Sequence, residues 1–200
     1  MPKPVTISAA VEGIVDEAVA RRLIDHAGAH PGPVYGRNGK PALRQKIRAY
    51  NEAARHAPWL VLVDLDQDEP CAPPLCQKWL PGPAPYLCFR VAVRQVEAWL
   101  MADAETLATY LSVARHTIPA DPETLPNAKA EMVNLAQRSR RSAIRNDMAP
   151  RQGSGRAVGP AYASRLIEYA GRHWRPYVAA QRADSLRRAI DRLRRLVEQA

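Results

Sequence analysis

The chain has 200 residues, 46% apolar and 24% charged, which suits one substantial folded domain or a compact domain with a helical extension. No apolar run reaches the length of a membrane span. The opening stretch MPKPVTISAAVEG lacks the long apolar core of a signal peptide, so a cytoplasmic location and no membrane contact are expected. The net charge of +9 is uneven: residues 1–103 carry 12 Lys and Arg against 11 Asp and Glu, whereas residues 104–200 carry 17 against 9. That asymmetry points to a polyanionic partner, although solubility or an acidic protein partner would also account for it.

In chain order, VTISAAV (5–11) reads as a buried strand. EGIVDEAVARRLIDHAG then turns into a helix with Val15, Val19, Leu23 and Ile24 at helical spacing and Gly28 as its stop. A short strand near Val34 and Tyr35 follows, then the turn GRNGK and a helix from about Pro41 to Arg55. WLVLVDL is the clearest strand. The proline-rich DEPCAPPLCQKWLPGPAP reads as a loop holding a short helix, and YLCFRVAV (86–93) is a strand leading into the helix RQVEAWLMAD. Alternating strands and helices predict a parallel α/β sheet over residues 1–103. Beyond Asp103 the strand signals fade. Helices are expected near 104–112, 128–145, 160–173 and 184–199, the last capped by Asp184 and Ser185 and striped by Leu186, Ile190, Leu193 and Val197. Residues 104–200 therefore read as a basic helical extension packed on the core.

Cys71, Cys76 and Cys88 lack the spacing of a zinc site and read as reduced thiols. The histidines are scattered. Ser154 has no nucleophile-elbow strand before it, which excludes a hydrolase triad.

The chemistry concentrates in acids that end strands. The first strand runs into Glu12-Gly13, and WLVLV runs into Asp64, Asp66 and Asp68. In an open parallel sheet, functional groups gather beyond the carboxyl ends of the strands. If the first and third strands are neighbours, these acids share one edge, where like charges raise one another's pKa and a divalent cation relieves the conflict. A calcium-binding EF-hand fails: with Asp64 first, the sixth position is Glu69 in place of Gly, and the twelfth is Leu75 in place of Glu. Capping of the next loop by solvent-facing acids is the plainer alternative.

The segments AAVEGIVDEAVARRLI and VLVDLDQD resemble the Toprim domain, found in topoisomerases, bacterial primases and OLD-family nucleases. VRQVEAWLMAD (93–103) and PRQGSGRAVGPAY (150–162) are similar to segments of a bacterial Toprim-related group, domain-of-unknown-function family 4276. The resemblance implies a Toprim-like, Rossmann-like sheet flanked by helices. It implies that Glu12 serves as general acid/base or metal ligand, that Asp64 and Asp66 hold Mg²⁺ (or Mn²⁺), and that Asp16 and Asp68 join that set. A metal-dependent nuclease or phosphoesterase, with bacterial defence against phage as its setting, is the activity the resemblance implies. The alternative is a latent or non-catalytic interaction subunit of a partner ATPase encoded nearby.

Other residues carry two readings each. Glu97 either completes the acidic site or pairs with Arg94 three positions earlier on one helix face. Arg37 and Lys40 sit in a glycine turn before a helix, which could cradle phosphate or be plain surface. Arg140, Arg141 and Arg145, with Arg151 and Arg156 of the glycine loop, form the densest basic run, suited to a nucleic-acid backbone or to a solvated face.

Overall fold

The computed structural model describes residues 5–200, so the first four residues of the stretch read for a leader lie outside it. Four strands, β1 (Thr6–Val11), β2 (His30–Gly36), β3 (Trp59–Asp64) and β4 (Leu87–Ala92), form one parallel sheet in the order β2-β1-β3-β4. The neighbours β1 and β3 pair in register from Ser8 with Trp59 to Ala10 with Val61, and β3 pairs with β4 along its whole length. Both faces are covered, as an all-parallel sheet requires.

Strand alternation divides the sheet residues between two apolar layers. Ile7, Ala9, Val11, Leu60 and Leu62 face a large cluster with α1 (Ile14–His26). Ala10, Val61, Val63 and Val91 face a smaller one with α2 (Gly39–Ala53) and α3 (Ala72–Trp79). After β4 come α4 (Val96–Ala102), α5 (Ala104–Leu111), α6 (Ala128–Gln137), α7 (Ser142–Met148), α8 (Tyr162–Arg172), α9 (Pro176–Ala179) and α10 (Asp184–Gln199). The large cluster is continuous from Ile7 of β1 to Leu166 of α8 and Leu193 of α10, so both halves of the chain share one interior. Among the described residues no helix is long and apolar enough to cross a membrane.

Three local expectations need correction. The helix expected over 128–145 is two helices, because the buried Ser139 hydroxyl donates to the Leu111 carbonyl and accepts from the Arg141 amide, breaking the helical ladder between them. The start of α10 is not capped by its own Asp184 or Ser185. The Glu123 carboxylate, from a 3-10 turn at Pro122–Thr124, accepts from both of their backbone amides (2.8 Å from Asp184). Finally, α4 begins at Val96, so Arg94 lies outside the helix and cannot form the expected helical pair with Glu97.

One glycine fixes the entrance to the acidic edge. Gly36 at the end of β2 has φ +91°, and a Cβ there would stand 2.2 Å from the Val11 carbonyl oxygen. Only glycine lets β2 close on β1 at that point. The following amides of Arg37 and Gly39 then donate to the carbonyls of Val11 and Glu12, both at 2.9 Å, tying the start of α2 to the end of β1.

Candidate active site

The acids gather at the carboxyl ends of β1 and β3. Glu12 leaves β1 and Asp64 ends β3, and the Asp64 amide donates to Glu12 Oε1 at 2.9 Å. Asp64 is buried, and its Oδ1 accepts the Val96 amide at 2.9 Å, which docks the first turn of α4 on the strand end. That turn carries Glu97, only 2% exposed. Asp16, in the first turn of α1, is also buried, and Gly13 leaves room for it: a Cβ there would stand 3.0 Å from Asp16 Oδ2. One carboxylate from each of four elements, the end of β1, α1, β3 and α4, thus converges on one edge.

These groups feel one another. Burial, opposed by the Asp64 amide and Lys40, pushes Glu12 up to about 7. Burial, reinforced by the Glu97 charge, raises Asp16 to about 6. Asp64 is held well above the usual carboxylate range by burial first, then by Asp16, Glu97 and Glu12. Two buried oxygens, Asp16 Oδ1 and Glu97 Oε2, have no hydrogen-bond donor at all. Polar atoms buried without a partner are uncommon and costly.

Positive charge and one hydroxyl border the cluster. Lys129, at the start of α6, approaches Glu97 Oε1 at 3.6 Å. Burial disfavours its charge, but Glu97, Asp64, Asp16 and Asp66 outweigh that and keep it firmly protonated. The Tyr162 hydroxyl, from the first turn of α8, donates to Glu97 Oε1 at 3.2 Å. Burial and the Glu97 charge hold that phenol in its protonated form.

Asp66 and Asp68 belong to a separate, more open group. Lys40 Nζ lies 2.6 Å from Asp66 Oδ2 and 3.0 Å from Asp68 Oδ2, so their charge is largely answered by one ammonium. Gln95 joins the two groups: its Nε2 donates to Asp66 Oδ1 at 3.0 Å, and its Oε1 accepts the Lys129 amide at 2.9 Å. Asp66 adopts a left-handed backbone, φ 49°, which aspartate tolerates better than most residues.

The remaining cationic candidates are dispersed. Arg94 donates to the carbonyls of Asp66, Glu69 and Pro70 (3.0, 3.1 and 3.4 Å), which makes it a clamp on the acidic loop. Arg37 pairs with Glu17 at 3.2 Å. Arg140 borders a shallow cleft with Glu105 and Arg115, and Arg145 donates to the Ser139 carbonyl. Arg141 lines a cavity with Arg172 and His173, at the far end of α8 from Tyr162 and so about 15 Å along that helix. Arg151 and Arg156 remain exposed in the loop that leads into Tyr162, on the acidic side. That loop is anchored at Gly159, where a Cβ would meet the Asp147 carbonyl oxygen at 2.5 Å.

Sequence reasoning missed Lys129, Gln95 and Tyr162. Lys129 was visible as the one lysine in the arginine-rich second half, while Gln95 and Tyr162 lie inside the two segments singled out above. Carboxylate oxygens are the donor chemistry that Mg²⁺ or Mn²⁺ takes, and the two orphaned oxygens are ligand atoms without another partner. As they stand, however, no three His, Cys, Asp or Glu side chains among the described residues are spaced to hold an ion. No protein-family model, curated protein or solved structure matches the chain.

Proposed function

We propose that the protein hydrolyses phosphodiester bonds of nucleic acid at the edge formed by Glu12, Asp16, Asp64 and Glu97. The single observation behind this reading is the convergence of four carboxylates, two with orphaned oxygens, with Lys129 as the one cation ion-paired to them among the described residues. A fold gains nothing in stability from such an arrangement, and perturbed groups of this kind concentrate at functional sites. The resemblance of Glu12, Asp64 and Asp66 to the Toprim acids supports the same chemistry, as does the basic second half.

Asp16, Asp64 and Glu97 would hold Mg²⁺ or Mn²⁺ on drawing in from their present spacing, and Gln95 links Asp66 to the Lys129 backbone beside them. When bound, the cation would cancel their mutual repulsion and polarise a phosphoryl oxygen. Glu12 Oε1 is occupied by the Asp64 amide, so its other oxygen takes the proton from the attacking water. Raised to about 7, Glu12 is matched to proton transfer near neutrality. Lys129 meets the charge that builds on the phosphoryl group, and Tyr162 fixes Glu97. Water adds to phosphorus as Glu12 takes its proton, the bond to the leaving oxygen breaks, and Glu12 returns that proton through solvent to the departing oxygen.

The test is cleavage of single- and double-stranded DNA and RNA with Mg²⁺ or Mn²⁺, by the protein alone and with the product of a neighbouring ATPase gene. Cleavage that Asp64→Asn and Glu97→Gln each remove supports the reading, and absence of cleavage under all these conditions overturns it. The spacing of the acids, short of ion-holding, favours a second reading in which the core is an interaction subunit of an ATPase. Full biological function retained by both variants would select it.

A further inference from the structure

Beside the acidic edge, α2 and α3 enclose a cleft of about 640 Å³ whose floor is Leu75 and Trp79. Lys40, which holds Asp66 and Asp68, lines it together with Asp68 and Glu69, so the cleft borders the open acidic group. Its electrostatics are unlike those of a phosphate pocket. Lys40 is engaged by two aspartates, and Lys78 by Glu69 at 3.0 Å. The cation without a carboxylate partner in the cleft is Arg44, and its guanidinium lies 5.8 Å from the centre of the Trp79 ring. Trp79 is itself stacked on Phe89 at 6.1 Å and 22°.

Phe89, Trp79 and Arg44 therefore lie in series, with an exposed guanidinium over the Trp79 face as the outermost member. Guanidinium planes are surfaces on which nucleobases stack, and a ring beneath the guanidinium orients that plane in advance. Gln45, exposed one position further along α2, offers an amide that can both donate to and accept from a base edge. A stacked platform reads base faces, and in a duplex those faces are covered by neighbouring pairs.

We infer that this cleft binds one unpaired nucleobase next to the scissile phosphate, which makes the substrate single-stranded nucleic acid or a frayed end. This rests on the phosphodiesterase reading and names its substrate class. Arg44 supplies the stacking plane, Gln45 the edge contact, and Lys40 the boundary between base and phosphate.

The experiment measures binding by fluorescence anisotropy in EDTA, so that no cleavage takes place. The probes are a labelled oligonucleotide of about 12 nucleotides as DNA, the same sequence as RNA, and its duplex, at one fixed salt concentration. Wild-type protein should bind single strand about tenfold or more tightly than duplex. Arg44→Ala should remove most of that preference while leaving duplex binding unchanged. Arg44→Lys keeps the charge but loses the plane, and it should behave like the alanine variant. Gln45→Ala should weaken single-strand binding by a few-fold. Arg44 and Gln45 are exposed on α2, so thermal unfolding should be unchanged in all three variants. Whichever of DNA or RNA binds more tightly identifies the sugar. Equal binding of single strand and duplex by wild type overturns the inference. So does an Arg44→Lys protein that binds as wild type does, or absence of binding to any probe. Preferential single-strand binding without cleavage in Mg²⁺ or Mn²⁺ would leave the base site standing and remove the hydrolytic reading.

Discussion

Asp64 and Asp103 are both buried aspartates within one molecule, and they are treated in opposite ways. Asp103, at the end of α4, has no exposure at all, yet it receives the Arg175 amide at 3.0 Å and two guanidinium contacts at 2.9 and 2.7 Å. Burial works against its charge, but the Arg175 bonds prevail and hold its carboxyl below the usual range. The Asp64 carboxylate receives one backbone amide, from Val96, and burial together with the neighbouring acids forces it upward. Desolvation is common to both, so the nature of the neighbours decides the outcome. Asp103 is given a counter-charge of its own, whereas the four acids around Asp64 share the single ammonium of Lys129.

The largest effect should come from breaking the satisfied pair. Asp103→Ala leaves Arg175 facing a buried void and should lower stability by about 3–5 kcal/mol, read by urea unfolding. A loss below about 1 kcal/mol would mean that the two aspartates do not differ as described.

Asp64→Asn should do the reverse. The amide oxygen can still accept the Val96 amide, and one of four like charges disappears. Cleavage should fall by about 100-fold or more, while the melting temperature holds or rises by about 2–4 °C. A fall in melting temperature comparable to that of Asp103→Ala would place Asp64 among the structural acids.

The pH dependence sharpens the contrast. Glu12 near 7 and Asp16 near 6 keep protons in the folded state that the unfolded chain releases at ordinary carboxylate values. Between those values the folded state binds more protons, so stability falls as pH rises. Without divalent cation, stability should drop by about 1–2 kcal/mol from pH 5 to pH 8, after allowance for solvent screening at Glu12. Added Mg²⁺ or Mn²⁺ should recover much of that at pH 8, and Asp16→Asn should flatten the profile. A flat wild-type profile measured by chemical denaturation would contradict the crowding of acids.

The smallest effect concerns an acid with a backbone partner. Glu123→Ala removes the oxygens that accept the first amides of α10 and should cost about 1 kcal/mol by thermal unfolding, with no change in pH profile.

Three strands were legible because each is a short apolar run ended by turn residues, as WLVLVDL shows, whereas β2, HPGPVYG, was legible only near Val34 and Tyr35 and begins at His30. The neighbouring of Glu12 and Asp64 was legible from acids at two strand ends, and strand order made it concrete. What escaped was whatever depends on long-range contact. The division of Asp66 and Asp68 from the buried acids is produced by Lys40, 26 and 28 residues away. Glu97 takes its cation from Lys129, and α10 takes its cap from Glu123. In each case local spacing offered a nearer partner, Arg94 for Glu97 and Asp184 for the cap, and tertiary packing supplied a distant one. The basic run was legible as charge, but the helical pattern conceals the break at Ser139 that separates Arg138 from Arg140 and Arg141.

The Ser185 hydroxyl accepts the Trp99 indole N–H at 2.7 Å, lies 3.3 Å from the Val93 amide that donates to it, and itself donates to Glu123. Trp99 and Glu97 belong to the same short helix, so the alignment of an acid in the first hundred residues depends on a hydroxyl near residue 185. During synthesis, the sheet and its strand-end acids emerge from the ribosome long before that hydroxyl does. The contacts that steady the helix of Glu97 thus cannot form until the last helix has been made.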